Sequence, residues 1–202
     1  MMDVLNQAGL RLRQAQEILA QLRLFERWQV FGTPVLVGAV AYELAMAPDI
    51  DMEIYCDVSR IDDGFTVLRD CALHPNVRKA RFGNYLEEVD KGLYWRLIYR
   101  ADEGADWKID MWSLPHDHPG PCAAHLVKPL REALTPETRR AILELKALMQ
   151  AGSIPRYPSI DIYRAVIDGE VRTSTQLETW LKLYPRSFLT FWKPGQTDIK
   201  IE

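Results

Sequence analysis

The sequence predicts an α/β protein: a small mixed β-sheet with flanking helices, followed by a helical C-terminal region. Three observations lead there. Short β-branched or strictly alternating apolar runs recur between residues 35 and 113, separated by turn-forming residues. Helix-period apolar patterns precede the first of these runs and separate others. Beyond residue 130 the strand signals stop and a series of capped helical patterns takes over. The chain thus divides into a core with its N-terminal helix, 1–130, and a helical region, 131–202.

Residues 3–25 carry Val4, Leu5, Ala8, Leu12, Ala15, Ile18, Leu19 and Leu22 at three- and four-residue steps, with Arg11, Arg13, Gln14 and Glu17 on the other side. That is an amphipathic packing helix. Gly32-Thr33-Pro34 punctuates, and Val35-Leu36-Val37 reads as a short buried strand broken by Gly38. Residues 39–47 are good helix formers, closed by Pro48. From Asp49 to Tyr55 acids and apolar residues alternate, as in a half-buried strand.

Asp62 or Asp63 caps a helix to about Leu73, with Phe65, Leu68 and Ala72 inward. Strand candidates follow at 77–82, 93–100 and 107–113, separated by Asp90-Lys91-Gly92 and Asp102-Glu103-Gly104. They read as an antiparallel meander added to the first two strands. Thr135-Pro136-Glu137 starts a helix that runs to about Gln150, because it supplies a hydroxyl cap, a first-turn proline and an acid at the positive end. Ser159 caps another over 160–168, and Thr173 or Thr175 opens a third to about Tyr184. Ile142, Leu145 and Leu148 form one inward stripe, and Ile162, Tyr163 and Val166 form a second. These helices are expected to pack on the core and close one side of a cleft, leaving 193–202 as a loose tail.

Composition excludes several classes. With 48% hydrophobic and 26% charged residues, the chain is neither disordered nor fibrous. Its longest uncharged run, Trp28 to Tyr42, is 15 residues and contains Gly32, Pro34 and Gly38, short of the roughly 20 a membrane span needs. A net charge of −3 argues against a protein that coats nucleic acid. The start, Met1-Met2-Asp3, lacks a signal-peptide pattern, and the odd set Cys56, Cys71 and Cys122 reads as free thiols, so a cytoplasmic location is expected.

The chemistry lies in Val37-Gly38-Ala39 followed, ten residues on, by Asp49-Ile50-Asp51. Alternation along a strand makes Asp49 and Asp51 project together, with Cα atoms roughly 6–7 Å apart. Two carboxylates that close repel unless solvent or a cation compensates them. Mg²⁺ is held by one or two carboxylates plus substrate phosphates, and two such ions can clamp both oxygens of a phosphoryl transfer. Gly38 lets backbone approach a phosphate where the next helix begins. Asp110, between Ile109 and Met111, reaches the same place if its strand lies beside residues 50–55. It would then complete a metal sphere or take a proton from an attacking hydroxyl.

A hydrophobic residue and glycine, about ten residues, Asp-x-Asp, then a later strand Asp: this pattern over residues 30–115 resembles the nucleotidyltransferase superfamily, whose members include polymerase-β-like and antibiotic nucleotidyltransferases and toxin–antitoxin components. The resemblance implies Asp49 and Asp51 as the Mg²⁺ or Mn²⁺ pair, Asp110 as third carboxylate and Gly38 as phosphate-loop glycine. The implied activity is transfer of a nucleoside monophosphate from a nucleoside triphosphate to a hydroxyl acceptor. The family usually has Gly-Ser or Gly-Gly; here Ala39 lacks the hydroxyl. A binding module that kept the fold without the activity is the alternative. The acidic charge balance points to a small-molecule or protein acceptor, not bulk nucleic acid and not a membrane.

Other signals are weaker. His116, His118, Cys122 and His125 fit no zinc spacing and lie among prolines, so an exposed loop is expected, or else a lining of the site mouth. Arg78, Lys79, Arg81, Arg96 and Arg100 suit edge-strand protection as well as phosphate binding. Lys108 is the best phosphate candidate because it shares a strand face with Asp110. Trp95, Trp107 and Trp112 are expected in the core, and Glu53 at a solvated strand end.

Overall fold

The computed structural model describes residues 3–186 and 190–195. Five strands form one mixed sheet: β1 (Thr33–Val37), β2 (Asp49–Cys56), β3 (Val77–Asn84), β4 (Leu93–Arg100) and β5 (Asp106–Pro115), in the order β1-β2-β5-β4-β3. The meander β3-β4-β5 is antiparallel, as its turns predict, and β1 is antiparallel to β2. β5 then returns beside β2 in parallel, setting Asp51 opposite Asp110 and Asp49 opposite Lys108.

One face of the sheet is apolar. Ile50, Met52 and Ile54 of β2 share it with Trp95 and Leu97 of β4 and with Trp107, Ile109 and Met111 of β5, all buried. They pack with α1 (Val4–Gln21), α2 (Leu24–Gln29) and α4 (Ile61–Ala72) in one continuous cluster. The core position expected for Trp95 and Trp107 is observed; Trp112 is half-buried, its ring 4.9 Å from that of Tyr94. A second cluster joins α5 (Ala124–Ala133), α6 (Pro136–Gln150), α7 (Ser159–Ile167) and α8 (Ser174–Leu183) to Tyr42, Leu44 and Met46. α1 serves both, with Ala15, Ile18 and Leu19 in the first and Ala8 in the second.

Three departures from the sequence-based reading have physical causes. The helix expected over 3–25 breaks at Arg23, which takes a left-handed conformation (φ 48°). Leu22 and Leu24 are both buried, and the break lets each reach the core. The helix expected over 39–47 shrinks to α3 (Gly38–Ala41). The chain turns at Glu43 (φ 57°) and then passes between the clusters, sending Leu44 and Met46 to one and Ala45 to the other. Burial on both sides outweighs helix propensity. Finally, α5 has no helix signal in the local sequence: it carries Pro129 inside it, and its cap residue, Ala123, makes no side-chain cap of its own.

At the C-terminal end the inward stripes are largely as read, with Ile142, Leu145, Ile162, Tyr163 and Val166 buried, but Leu148 is 38% exposed. α6 begins with the expected Thr135 cap, closed reciprocally by Thr138. Of the tail expected over 193–202, Gly195 is tied down, its amide donating to Asp168 at 3.2 Å; just before it, Trp192 Nε1 donates to the same carboxylate at 2.5 Å. Residues 196–202 lie outside the described residues. Among the described residues, no helix is long and apolar enough to cross a membrane.

Leu145→Ala should cost about 2–4 kcal/mol, since it empties a closed core position. Leu148→Ala should cost under about 1 kcal/mol, because the side chain is already partly in water. Urea unfolding of the two variants checks the inward face of α6.

Candidate active site

The β2–β5 register gathers the three carboxylates. One oxygen from each of Asp49, Asp51 and Asp110 lies within 4.8 Å of the others. Among the described residues, this is the one such group of acids, histidines and cysteines. Gly38 begins α3 against this cluster with φ +66°, and a Cβ there would collide with Asp51 Oδ2 and its carboxyl carbon. The glycine is therefore required twice, by its backbone conformation and by the approach of Asp51.

The carboxylates are not equivalent. Asp110 Oδ1 accepts from Arg96 Nε at 2.6 Å and from Tyr94 Oη at 2.7 Å, and Oδ2 accepts from Arg96 at 3.1 Å. Lys108 Nζ lies 3.1 Å from both Asp49 Oδ2 and Asp110 Oδ2. Burial pushes the Asp110 carboxyl up, but Arg96, Tyr94 and Lys108 outweigh it and hold it below the ordinary value. Asp49 is raised by burial, which Lys108 offsets only in part. Asp51 is pushed up to about 7 by burial, with Asp49 and Asp110 adding repulsion. Asp49 Oδ1 is buried with no hydrogen-bond partner among the described residues.

A cleft of about 990 Å³ opens beside the cluster. Gly38, Ala39, Asp49 and Asp51 form its floor; α6 and α7 supply Lys146, Ser159 and Tyr163; Phe191, Trp192 and Lys193 line it from the C-terminal segment. The helical region thus closes one side, as its stripes predict. Cys122 and His125 lie at the wall as well, the second of the two roles left open for that loop. His118 is instead anchored, its Nε2 2.9 Å from the Asp90 carbonyl and its Nδ1 accepting from the Gly120 amide at 2.9 Å.

Three sequence expectations need correction. Lys108 turns onto the carboxylates and is absent from the cleft lining. Glu53 is not solvated: it is 7% exposed and accepts from the amides of Ala123 (2.7 Å) and Ala124 (2.9 Å), capping α5 from β2. α3 spans only four residues, too few for a sizeable dipole, so the phosphate contact expected there would rest on backbone N–H groups near Gly38 and Ala39.

Sequence reasoning missed Lys146. It is 5% exposed, donates to the Leu44 carbonyl at 2.7 Å and lies 3.4 Å from the Tyr163 hydroxyl. Burial pulls its ammonium down to about 8, while Asp51 and Asp49 act in the other direction. A lysine four residues after Ile142, on the same helix face, was the available signal.

No family model matches the sequence and no curated protein does. Solved structures do match by fold. Cid1 poly(U) polymerase with MgATP bound aligns with a TM-score of 0.58 and 15% identity, over 78% of this chain and 49% of that one. A cytoplasmic RNA terminal U-transferase aligns at 0.54 and 14%, over 77% and 46%. Cid1 in complex with its short product ApU aligns at 0.55 and 14%, over 78% and 48%. The chain shares its fold with these nucleotide-transferring enzymes, and it spans about half the length of the proteins it matches. One of these neighbours is named for action on RNA, in contrast to the exclusion of nucleic acid expected from net charge.

Asp51 sets a pH-dependent stability. Its folded value near 7 exceeds its ordinary 3.8, so the folded chain keeps a proton there that the unfolded chain has lost. Metal-free stability from this group is highest below about pH 4 and falls as pH rises to about 7. Asp51→Asn mimics the protonated form, so it should be more stable than the parent at pH 8, by on the order of 2 kcal/mol, with the gain fading towards pH 4. Thermal melts in chelator across that range check this. Gly38→Ala should lose about 1–3 kcal/mol in the same melts, through a disfavoured φ and the collision with Asp51.

Proposed function

We propose that this chain is a divalent-metal-dependent nucleotidyltransferase that moves a nucleoside monophosphate from a nucleoside triphosphate to a hydroxyl acceptor. The observation that carries this is the convergence of Asp49, Asp51 and Asp110, the first two at the floor of a cleft large enough for a nucleotide. The donor set is all oxygen, as Mg²⁺ prefers, and the unpartnered Asp49 Oδ1 is a buried acceptor that wants a cation. Asp49 and Asp51 would hold the ion, which when bound neutralises phosphate charge and acidifies a hydroxyl it touches.

Chain groups would do the rest. Lys146 faces the cleft with an ammonium suited to the triphosphate, and the Gly38–Ala39 backbone lies beside it. Asp110 suits holding and orienting better than proton abstraction, because both its oxygens are engaged and its carboxyl is held low. The new bond joins the acceptor oxygen to the α-phosphorus as the bond from that phosphorus to the α,β-bridging oxygen breaks; diphosphate leaves and the acceptor proton passes to solvent.

The acceptor would approach from the Asp110 side, away from the cleft. There Arg96 lies beside Asp110 and Arg81 opposite Arg96 on β3, with Lys79 two residues back. This local positive face contrasts with the net charge of −3, so net charge does not decide the acceptor. An acceptor bearing an anionic group next to its hydroxyl fits it, whether RNA end, nucleotide or small phosphorylated molecule. One observation favours the second reading, a binding module: Ala39 offers no hydroxyl to a phosphate.

Diphosphate release with each nucleoside triphosphate and Mg²⁺ separates the two readings. An enzyme releases diphosphate, and Asp49→Asn or Asp51→Asn should reduce the rate on the order of 1,000-fold. Lys146→Met should raise the nucleotide KM about 10- to 100-fold. Tight nucleotide binding with no release under any acceptor mixture would leave the binding module.

A further inference from the structure

We propose that the Lys108 ammonium is this site's second cation: it stands on the acceptor side where the second ion of a paired-metal centre would stand, so the site takes a single divalent ion, on the cleft side. This rests on the metal-dependent reading above and deepens it.

The cluster has two sides. Asp49 and Asp51 line the cleft; Asp110 and Lys108 do not. On the cleft side oxygens are free. Among the described residues Asp49 Oδ1 has no partner, and Asp51 stands beside it at the cleft. On the far side they are taken. Arg96 grips Asp110 with two nitrogens, a planar fork matched to a carboxylate, and Tyr94 adds a third donor. Lys108 then spans the gap between Asp110 Oδ2 and Asp49 Oδ2, 3.1 Å from each.

That span is the place a bridging ion would occupy. Mg²⁺ bonds carboxylate oxygens at about 2.0–2.1 Å, so an ion bound to those two oxygens would overlap the ammonium. Two cations cannot share it. Three carboxylates face two cations, Arg96 and Lys108, which leaves one net negative charge for the cleft-side ion to meet. The register holds Lys108 there: it is opposite Asp49 on β2 and two residues from Asp110 on β5, so all three side chains share a face. Lys108 thereby carries a fixed positive charge beside the acceptor oxygen, the task a second metal performs where there are two.

Counting bound Mn²⁺ tests it. The full chain is titrated with Mn²⁺ in the presence of each α,β-nonhydrolysable nucleoside triphosphate, and free Mn²⁺ is read by electron paramagnetic resonance. The parent and Lys108→Arg should each bind one Mn²⁺ per chain at saturation. Lys108→Met should bind two, the second at least ten times tighter than any second binding in the parent. Two ions in the parent would overturn the proposal while leaving the metal-dependent reading intact. One ion in a folded Lys108→Met would overturn it too, since Lys108 would not be what excludes the second. No Mn²⁺ in any of them would overturn both readings. Should Lys108→Met fail to fold, the parent count and Lys108→Gln carry the same decision.

Discussion

The parallel pairing of β2 with β5 concentrates charge at one point of this fold, and the surrounding elements are arranged to bear it. In that register Asp51 faces Asp110 and Asp49 faces Lys108. Three carboxylates within 4.8 Å is an unfavourable arrangement in a half-buried place. It persists because the backbone ladder and the apolar face beneath it, with Ile50, Met52, Ile109 and Met111 fully buried, cannot shift by one residue without turning that face outward. The acids are held together by packing on the opposite side of the same strands.

Compensation is uneven, and that unevenness gives the site its direction. Arg96, Tyr94 and Lys108 satisfy Asp110 on the side of the antiparallel meander. Among the described residues nothing equivalent satisfies Asp51, whose carboxyl is pushed up to about 7. The unsatisfied acids therefore face the cleft and the satisfied one faces away from it. Lys146, buried with its ammonium drawn down to about 8, stands at the same cleft from α6. A buried lysine and half-buried acids that do not touch leave room between them for a group carrying both charge signs, such as a metal-bound phosphate.

The helical region belongs to the cleft because of a few long-range polar ties laid over a large apolar contact. Glu53 caps α5 across 70 residues of sequence. Lys146 donates to the Leu44 carbonyl in the strap that crosses between the two clusters. Asp168 holds the segment carrying Trp192. Each tie satisfies backbone or side-chain groups that burial would otherwise leave without partners.

Local sequence determined the elements whose signals are local. The alternation of β2, the meander, the Thr135 cap and the buried stripe of α7 were legible because period and capping act within a few residues. Strand alternation likewise fixed that Asp49 and Asp51 share a face, whereas the arrival of Asp110 beside them depended on β5 pairing with β2. Only the tertiary structure decided the rest. The start of α5 is written in Glu53, far from the helix it caps. The shortening of the helix after Gly38 follows from two cores competing for Leu44, Ala45 and Met46. The turn of Lys108 onto the acids, and the arrival of Lys146 opposite Asp51, depend on which strand and which helix become neighbours. Those are choices of long-range packing, and no short stretch of chain contains the energy that makes them.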